Sequence, residues 1–168
     1  VTADIAQKFN HRYGETFIIP KEKIMGDVAV VPGTDGQKMS KSYNNTINIF
    51  GTEKQIRKTI MKVVTDSTAL QDPKDADNCN VFALYNLFAN KSEEQRLKER
   101  YQAGGMGYGH AKQELFEKFW EYFRPFRKKR EELSQNMDYI QDILKKGGEK
   151  ARQTASTTLD KVKKATGL

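Results

Sequence analysis

The sequence predicts a mainly α-helical chain with a short α/β stretch within its first fifty residues. Three observations predict it. Apolar residues recur at helical spacing through most of residues 51–168, capping-box tetrads stand ahead of two of those runs, and the one compact β-branched run, Val28-Ala29-Val30-Val31, falls before residue 50. With 168 residues, 37% apolar and 30% charged, the chain has material for one domain or one and a half. No run approaches the roughly 20 apolar residues that a membrane-spanning helix needs, so a membrane protein of that kind is excluded. Cys79 alone cannot form a disulfide framework, and together with His11 and His110 it falls short of a structural zinc set. A reduced, cytoplasmic setting is expected.

The elements follow in order. Ile5, Ala6 and Phe9 share one face of a helix running from Thr2 to about Arg12, with Gly14 as its stop. The helical pattern is already under way at Val1, which predicts a piece cut from a longer protein. Phe17-Ile18-Ile19-Pro20 is extended and closed by proline, and Val28–Val31 is the strand between Gly26 and Pro32-Gly33. A long polar loop from Gly33 to Asn48 follows, of the length that is usually functional or disordered.

Thr52-Glu53-Lys54-Gln55 caps a helix whose inner face is Ile56, Ile60, Val63 and Val64. Asp66–Asn78 is acidic and turn-like. Val81, Leu84, Tyr85 and Phe88 are the inward face of a short buried helix. Ser92-Glu93-Glu94-Gln95 opens a helix that passes Tyr101 and stops at Gly104-Gly105. From His110 a long pattern runs through Leu115, Phe119, Phe123, Phe126, Leu133, Met137, Ile140 and Leu144. Pro125 must kink or restart it, and Gly147-Gly148 is expected to end it ahead of a basic amphipathic tail.

Charge is uneven. Residues 1–110 carry 15 basic and 13 acidic groups, and residues 111–168 carry 14 and 9, out of a net charge of +7. Arg124, Arg127, Lys128, Lys129 and Arg130 are interleaved with Trp120, Tyr122, Phe123 and Phe126. Two readings of these charges stand side by side: an RNA-facing surface, or a solvated helix face. The rings of Phe119, Phe123 and Phe126 have core spacing and are expected to be buried. Asp72, Asp75 and Asp77 lack the remaining ligands of a calcium loop, and no metal site is expected.

The strongest chemical signal is Lys38-Met39-Ser40-Lys41-Ser42, preceded by Gly33-Thr34-Asp35-Gly36. Two lysines three apart, separated by small hydroxyl residues in a loop, can surround a polyphosphate with cations and donors. The glycine spacing is wrong for a Walker A loop.

These five residues spell KMSKS, the second signature of class I aminoacyl-tRNA synthetases, without a mismatch. The surroundings resemble the tryptophanyl-tRNA synthetases over essentially the whole chain: Asp4-Ile5-Ala6 with Phe9-Asn10, the strand and glycine-rich turn before the signature, Gly105-Met106-Gly107-Tyr108-Gly109-His110-Ala111-Lys112, and Ala165-Thr166-Gly167-Leu168. The resemblance implies residues 1–50 as the end of a Rossmann-type catalytic domain and residues 51–168 as a helical-bundle domain that binds the anticodon. It implies ATP as substrate with Mg²⁺ assisting, tryptophan and tRNA(Trp) as the other substrates, and a homodimeric, cytoplasmic full-length enzyme. Lys38 and Lys41 would be catalytic through the ATP phosphates, helped by donors of Met39, Ser40 and Ser42. Ala29 would lie near the adenine, or else in a plain buried strand. The first class I signature, a His-Ile-Gly-His-like run, is absent from the sequence, so this chain alone is expected to be inactive. A tyrosine-specific relative and a non-catalytic helical RNA-binding or scaffold protein are the alternatives.

Overall fold

The computed structural model describes residues 1–24 and 30–168. Among the described residues it is helical, with seven α-helices and no β-strand beyond an isolated antiparallel bridge between Pro32 and Lys38. Val28 and Ala29 of the expected strand lie outside the described residues. Val30 and Val31 are not in a strand: Val30 is exposed and the Val31 carbonyl accepts from the Met39 N–H at 2.8 Å. The segment 17–20 is likewise irregular, with the Ile18 side chain in solvent. The chain divides into two compact units, Val1–Ile24 with Glu131–Leu168, and Met25–Arg130.

In the first unit, α1 (Thr2–Tyr13) ends at Gly14. The Asn10 side chain folds the exit back on the helix, accepting from the Thr16 and Phe17 N–H groups and donating to the Phe17 carbonyl at 2.7 Å. Phe9 packs on Tyr13 and Phe17, each at 4.9 Å between ring centres. The last helix, α7, spans Met137–Thr166 and is capped by Asn136. Gly147-Gly148 does not end it. Nothing lies within 4 Å of where a Cβ would stand on either glycine, and they sit inside a run of good helix formers. An interior glycine costs a helix only about 1 kcal/mol relative to alanine, which 30 residues of continuous hydrogen bonding absorb. The stop is Gly167 instead, in the left-handed region at φ 80°, ψ 24°.

The second unit holds the core. The capping box at Thr52 forms as the sequence predicts: the Gln55 N–H donates to Thr52 Oγ1 and the Thr52 N–H to Gln55 Oε1. It starts α2 (Glu53–Met61), which buries Ile56 and Ile60 one turn apart. α3 (Asn80–Asn86) has no side-chain cap and is too short to stand alone. It persists because Val81, Phe82, Leu84 and Tyr85 are all buried, with Phe88 just beyond it packed against the core.

α4 (Lys91–Ala103) is capped by Asn90 with Glu93, not by Ser92. Both tetrads have the right spacing, and the earlier one wins because Asn90 Oδ1 accepts from the Glu93 N–H and Glu93 accepts from the Asn90 N–H, each at 3.0 Å. α5 (Tyr108–Tyr122) lies against α2 and α3 and buries Ala111, Leu115, Phe116 and Phe119. The long pattern after His110 is three helices. α5 stops at Phe123, and α6 (Arg124–Ser134) restarts with Pro125 in its first turn, where a missing N–H costs little.

Gly104 ends α4 with φ +71°, and a Cβ there would stand 2.2 Å from the Gln71 carbonyl oxygen, so this turn admits only glycine. The approach brings the 66–78 segment against the helices. There Lys74, inside the stretch that reads as acidic and turn-like, is buried at 3% exposure.

Candidate functional site

The Lys38–Ser42 loop is built almost wholly from backbone and one buried side chain. Asn45, 2% exposed, accepts from the Ser40 N–H at 2.7 Å through Oδ1. Through Nδ2 it donates to Asp35 Oδ1 at 2.8 Å and to the Lys38 carbonyl at 3.2 Å. Its own carbonyl accepts from the Thr34 N–H at 2.9 Å. Asp35 Oδ1 also accepts from the Gln37 N–H, and its bond from Asn45 is the main cause that holds this carboxyl below the usual range. Ser40 caps a single 3₁₀ turn, Lys41–Tyr43, by accepting from the Ser42 N–H at 3.2 Å.

Two glycines make room for this arrangement. A Cβ on Gly33 would stand 2.3 Å from Asn45 Nδ2, and one on Gly36, where φ is +85°, would stand 2.5 Å from Asn80 Oδ1. Asn80 donates to the Val64 carbonyl, while the Val64 N–H donates to the Thr34 carbonyl at 2.8 Å. The loop is therefore stitched to the end of α2 and the start of α3. Gly33→Ala is expected to cost about 1–3 kcal/mol, the usual penalty for overpacking a filled site. Denaturant unfolding should show the loss, and the Ser40 amide should exchange faster with solvent.

What the framework leaves open is the cations. Lys38, Lys41 and Ser42 are exposed, whereas Met39 and Ser40 are half-buried and Met39 packs against the core. Among the described residues neither lysine is held in an ion pair. Residues 38–42 thus form one continuous loop with both lysines exposed; Ala29 lies outside the described residues. No group of three His, Cys, Asp or Glu side chains among the described residues could hold a metal ion.

Arg124, Arg127 and Arg130 of the basic stretch each meet a neighbouring side chain. Arg127 lies over the Trp120 ring at 3.5 Å and donates to the Trp120 carbonyl, with its other terminal nitrogen buried. Arg130 stacks over Phe50 at 4.5 Å, and Arg124 pairs with Glu121 at 2.9 Å. Phe119 is buried and Phe123 half-buried, but Phe126 departs from its expected burial: it is 52% exposed and stacks on Tyr122, which is 51% exposed. α6 begins after the break at Phe123, so the 3–4 spacing that carries Phe119 and Phe123 inward does not carry to Phe126.

Residues 1–124, well over half of the chain, match the family described as tRNA synthetases class I (W and Y). The chain belongs to this family. Among similar class I synthetases, the tryptophan–tRNA ligase of Fusobacterium nucleatum is 52% identical, the match covering 100% of this chain and 52% of that one. That of Rhodopirellula baltica is 49% identical, with the same coverage. A crystal structure of tryptophanyl-tRNA synthetase from Campylobacter jejuni, complexed with ADP and tryptophan, superposes with a TM-score of 0.82 at 47% identity over 99% of this chain and 52% of that chain. The chain spans about half the length of the relatives it matches. In this class I chain the residues that sequence reasoning missed are Asn45, which holds the backbone of the signature, and Asp35 and Asn80, which hold Asn45 and the Val64 carbonyl in turn. Their signal in the sequence is faint: Asp35 between Gly33 and Gly36 reads as a turn residue, and Asn45 and Asn80 stand far from it in the chain.

Proposed function

We propose that the chain is the C-terminal part of a tryptophan–tRNA ligase. The observation that carries this reading is the KMSKS loop, whose backbone is fixed by a buried carboxamide while its two ammonium groups face solvent. In the reaction, a carboxylate oxygen of tryptophan attacks the α-phosphorus of ATP, the bond to the β-phosphate oxygen breaks, and pyrophosphate leaves. A ribose hydroxyl at the 3′ end of tRNA(Trp) then attacks the adenylate carbonyl and AMP leaves. Lys38 and Lys41 would hold the β- and γ-phosphates and offset the charge that grows on pyrophosphate, with donors from Met39, Ser40 and Ser42. Mg²⁺ would arrive with the nucleotide and supply further charge neutralisation at the phosphates.

Residues 1–50 would complete the Rossmann-type catalytic domain, with Ala29 near the adenine, and residues 51–168 would form the anticodon-binding domain. The full-length enzyme would be a cytoplasmic homodimer, and this chain alone would be inactive, since it carries only the second class I signature. That the relatives named above are tryptophan enzymes supports tryptophan over tyrosine.

Binding of the 168-residue chain to tRNA(Trp), beside the same tRNA with altered anticodon bases, tests the nucleic-acid half of this reading across a salt series. The expected result is a preference for the natural anticodon that survives salt. Equal binding that vanishes with salt would reduce the helices to a basic surface, because non-specific phosphate contacts weaken steeply as salt rises.

A further inference from the structure

Loops rarely bury an asparagine, and when they do each polar atom of its carboxamide, which offers four hydrogen-bonding positions, needs a partner. At 2% exposure, Asn45 fills three of the four, one with Asp35 and two with the peptide groups that flank Met39: the Ser40 N–H at 2.7 Å and the Lys38 carbonyl at 3.2 Å. Met39 between them is pinned again, by its N–H to the Val31 carbonyl at 2.8 Å and by its side chain against the core. The backbone from Lys38 to Ser40 therefore has little freedom, and Lys41 follows at once on the turn that Ser40 caps. Fixing these peptide groups fixes where the two exposed ammonium groups start from.

We propose that Asn45 is a positioning residue for the phosphate-binding lysines: its buried carboxamide sets the separation and direction of Lys38 and Lys41 before ATP arrives. The inference rests on reading residues 38–42 as the ATP loop. It also explains the residue type. Aspartate at 45 would keep an acceptor for Ser40 but lose the donor to Lys38, and would set a second carboxylate against Asp35, now 2.8 Å from Nδ2. A hydrophobic residue would leave three polar partners unserved. Gly33 is small because Asn45 occupies the space its Cβ would need.

The test is tryptophan-dependent pyrophosphate exchange by the full-length enzyme. Asn45→Asp should lower kcat by about 10- to 100-fold, the cost of displacing catalytic groups by around an ångström, while the KM for tryptophan stays within twofold. The double variant Asp35→Asn/Asn45→Asp reverses the donor and acceptor of that pair and relieves the carboxylate repulsion, but it leaves the Lys38 carbonyl without its donor, so it should fold and still exchange at least fivefold more slowly than the wild type. A folded Asn45→Asp enzyme with wild-type kcat overturns the proposal, as does a folded double variant with wild-type kcat. Should Asn45→Asp fail to fold, the double variant still decides. Lys41→Ala, run alongside, separates the two levels. If that variant also exchanges at the wild-type rate, the ATP-loop reading itself has failed, and with it the role of Asn45; if it is slow while Asn45→Asp is not, only the inference about Asn45 falls.

Discussion

Lys41→Ala is expected to slow tryptophan-dependent pyrophosphate exchange by roughly 100- to 1,000-fold in the full-length enzyme, the loss typical of removing one preorganised partner of transition-state charge. The geometry says why the effect should fall on kcat more than on the KM for ATP. Lys41 opens the 3₁₀ turn and its side chain is exposed, with no ion pair among the described residues. Its ammonium gains most when negative charge accumulates on the departing pyrophosphate, and an interaction stronger in the transition state than in the ground state lowers the barrier rather than tightening binding. Lys38 differs in that its carbonyl is held by Asn45 and its backbone pairs with Pro32, so its position is set more firmly. Removing both lysines should cost less than the product of the single losses, because the two act on the same phosphates. Lys41→Arg keeps the charge but spreads it over a planar group, and should recover part of the rate. Lys54→Ala, on the exposed face of α2, should leave exchange unchanged. Wild-type exchange by Lys41→Ala would remove the loop from the chemistry.

The parts of this structure that could be read from the sequence are those decided within a few residues. The Thr52–Gln55 box needs only its own four residues, and Ile56 with Ile60 needs only the helix it starts. The lysine loop was visible because its chemistry lies in consecutive side chains. Misreadings arise where a residue serves more than one role and distant groups choose between them. Gly147 and Gly148 resemble a stop, but nothing beyond them supplies the left-handed cap that Gly167 does. Asn90 and Ser92 both open plausible boxes, and only the paired bonds with Glu93 decide. Arg127 looks like one more surface charge until Trp120 is placed beneath it. Asn45 looks like a turn residue, and only the return of residues 33–40 around it makes it a clamp.

Lys74 is the case in which sequence context misleads most, and it should also be the most costly side chain to remove from the 66–78 segment. It stands between Asp72 and Asp75, where a lysine is expected to balance charge in solvent. Instead it is buried, donating from Nζ to the carbonyls of Ala69 at 2.9 Å, Asp72 at 3.2 Å and Leu70 at 3.5 Å, and lying 5.3 Å from the centre of the Tyr108 ring. Its own N–H donates to the Tyr101 carbonyl at 2.8 Å, near the end of α4. Tyr108 in turn donates to Asp66 at 2.8 Å; burial, then Asp66, pushes its phenol up to about 12, so it remains a donor across the physiological range. One buried ammonium therefore gathers three carbonyls of an otherwise exposed segment, at the place where Gly104 admits Gln71. Lys74→Ala removes the donors and leaves a cavity, and should destabilise by roughly 2–4 kcal/mol, lowering Tm by about 4–16 °C for a chain of this size. Lys74→Met keeps the stem and removes only the charge and its hydrogen bonds, so it should lose about 1–3 kcal/mol. The difference between the two variants measures packing, and the loss shared by both measures the unserved carbonyls. A methionine variant as stable as the natural chain would mean that these carbonyls find other partners, and that the lysine is held in place by the fold without holding the fold in return.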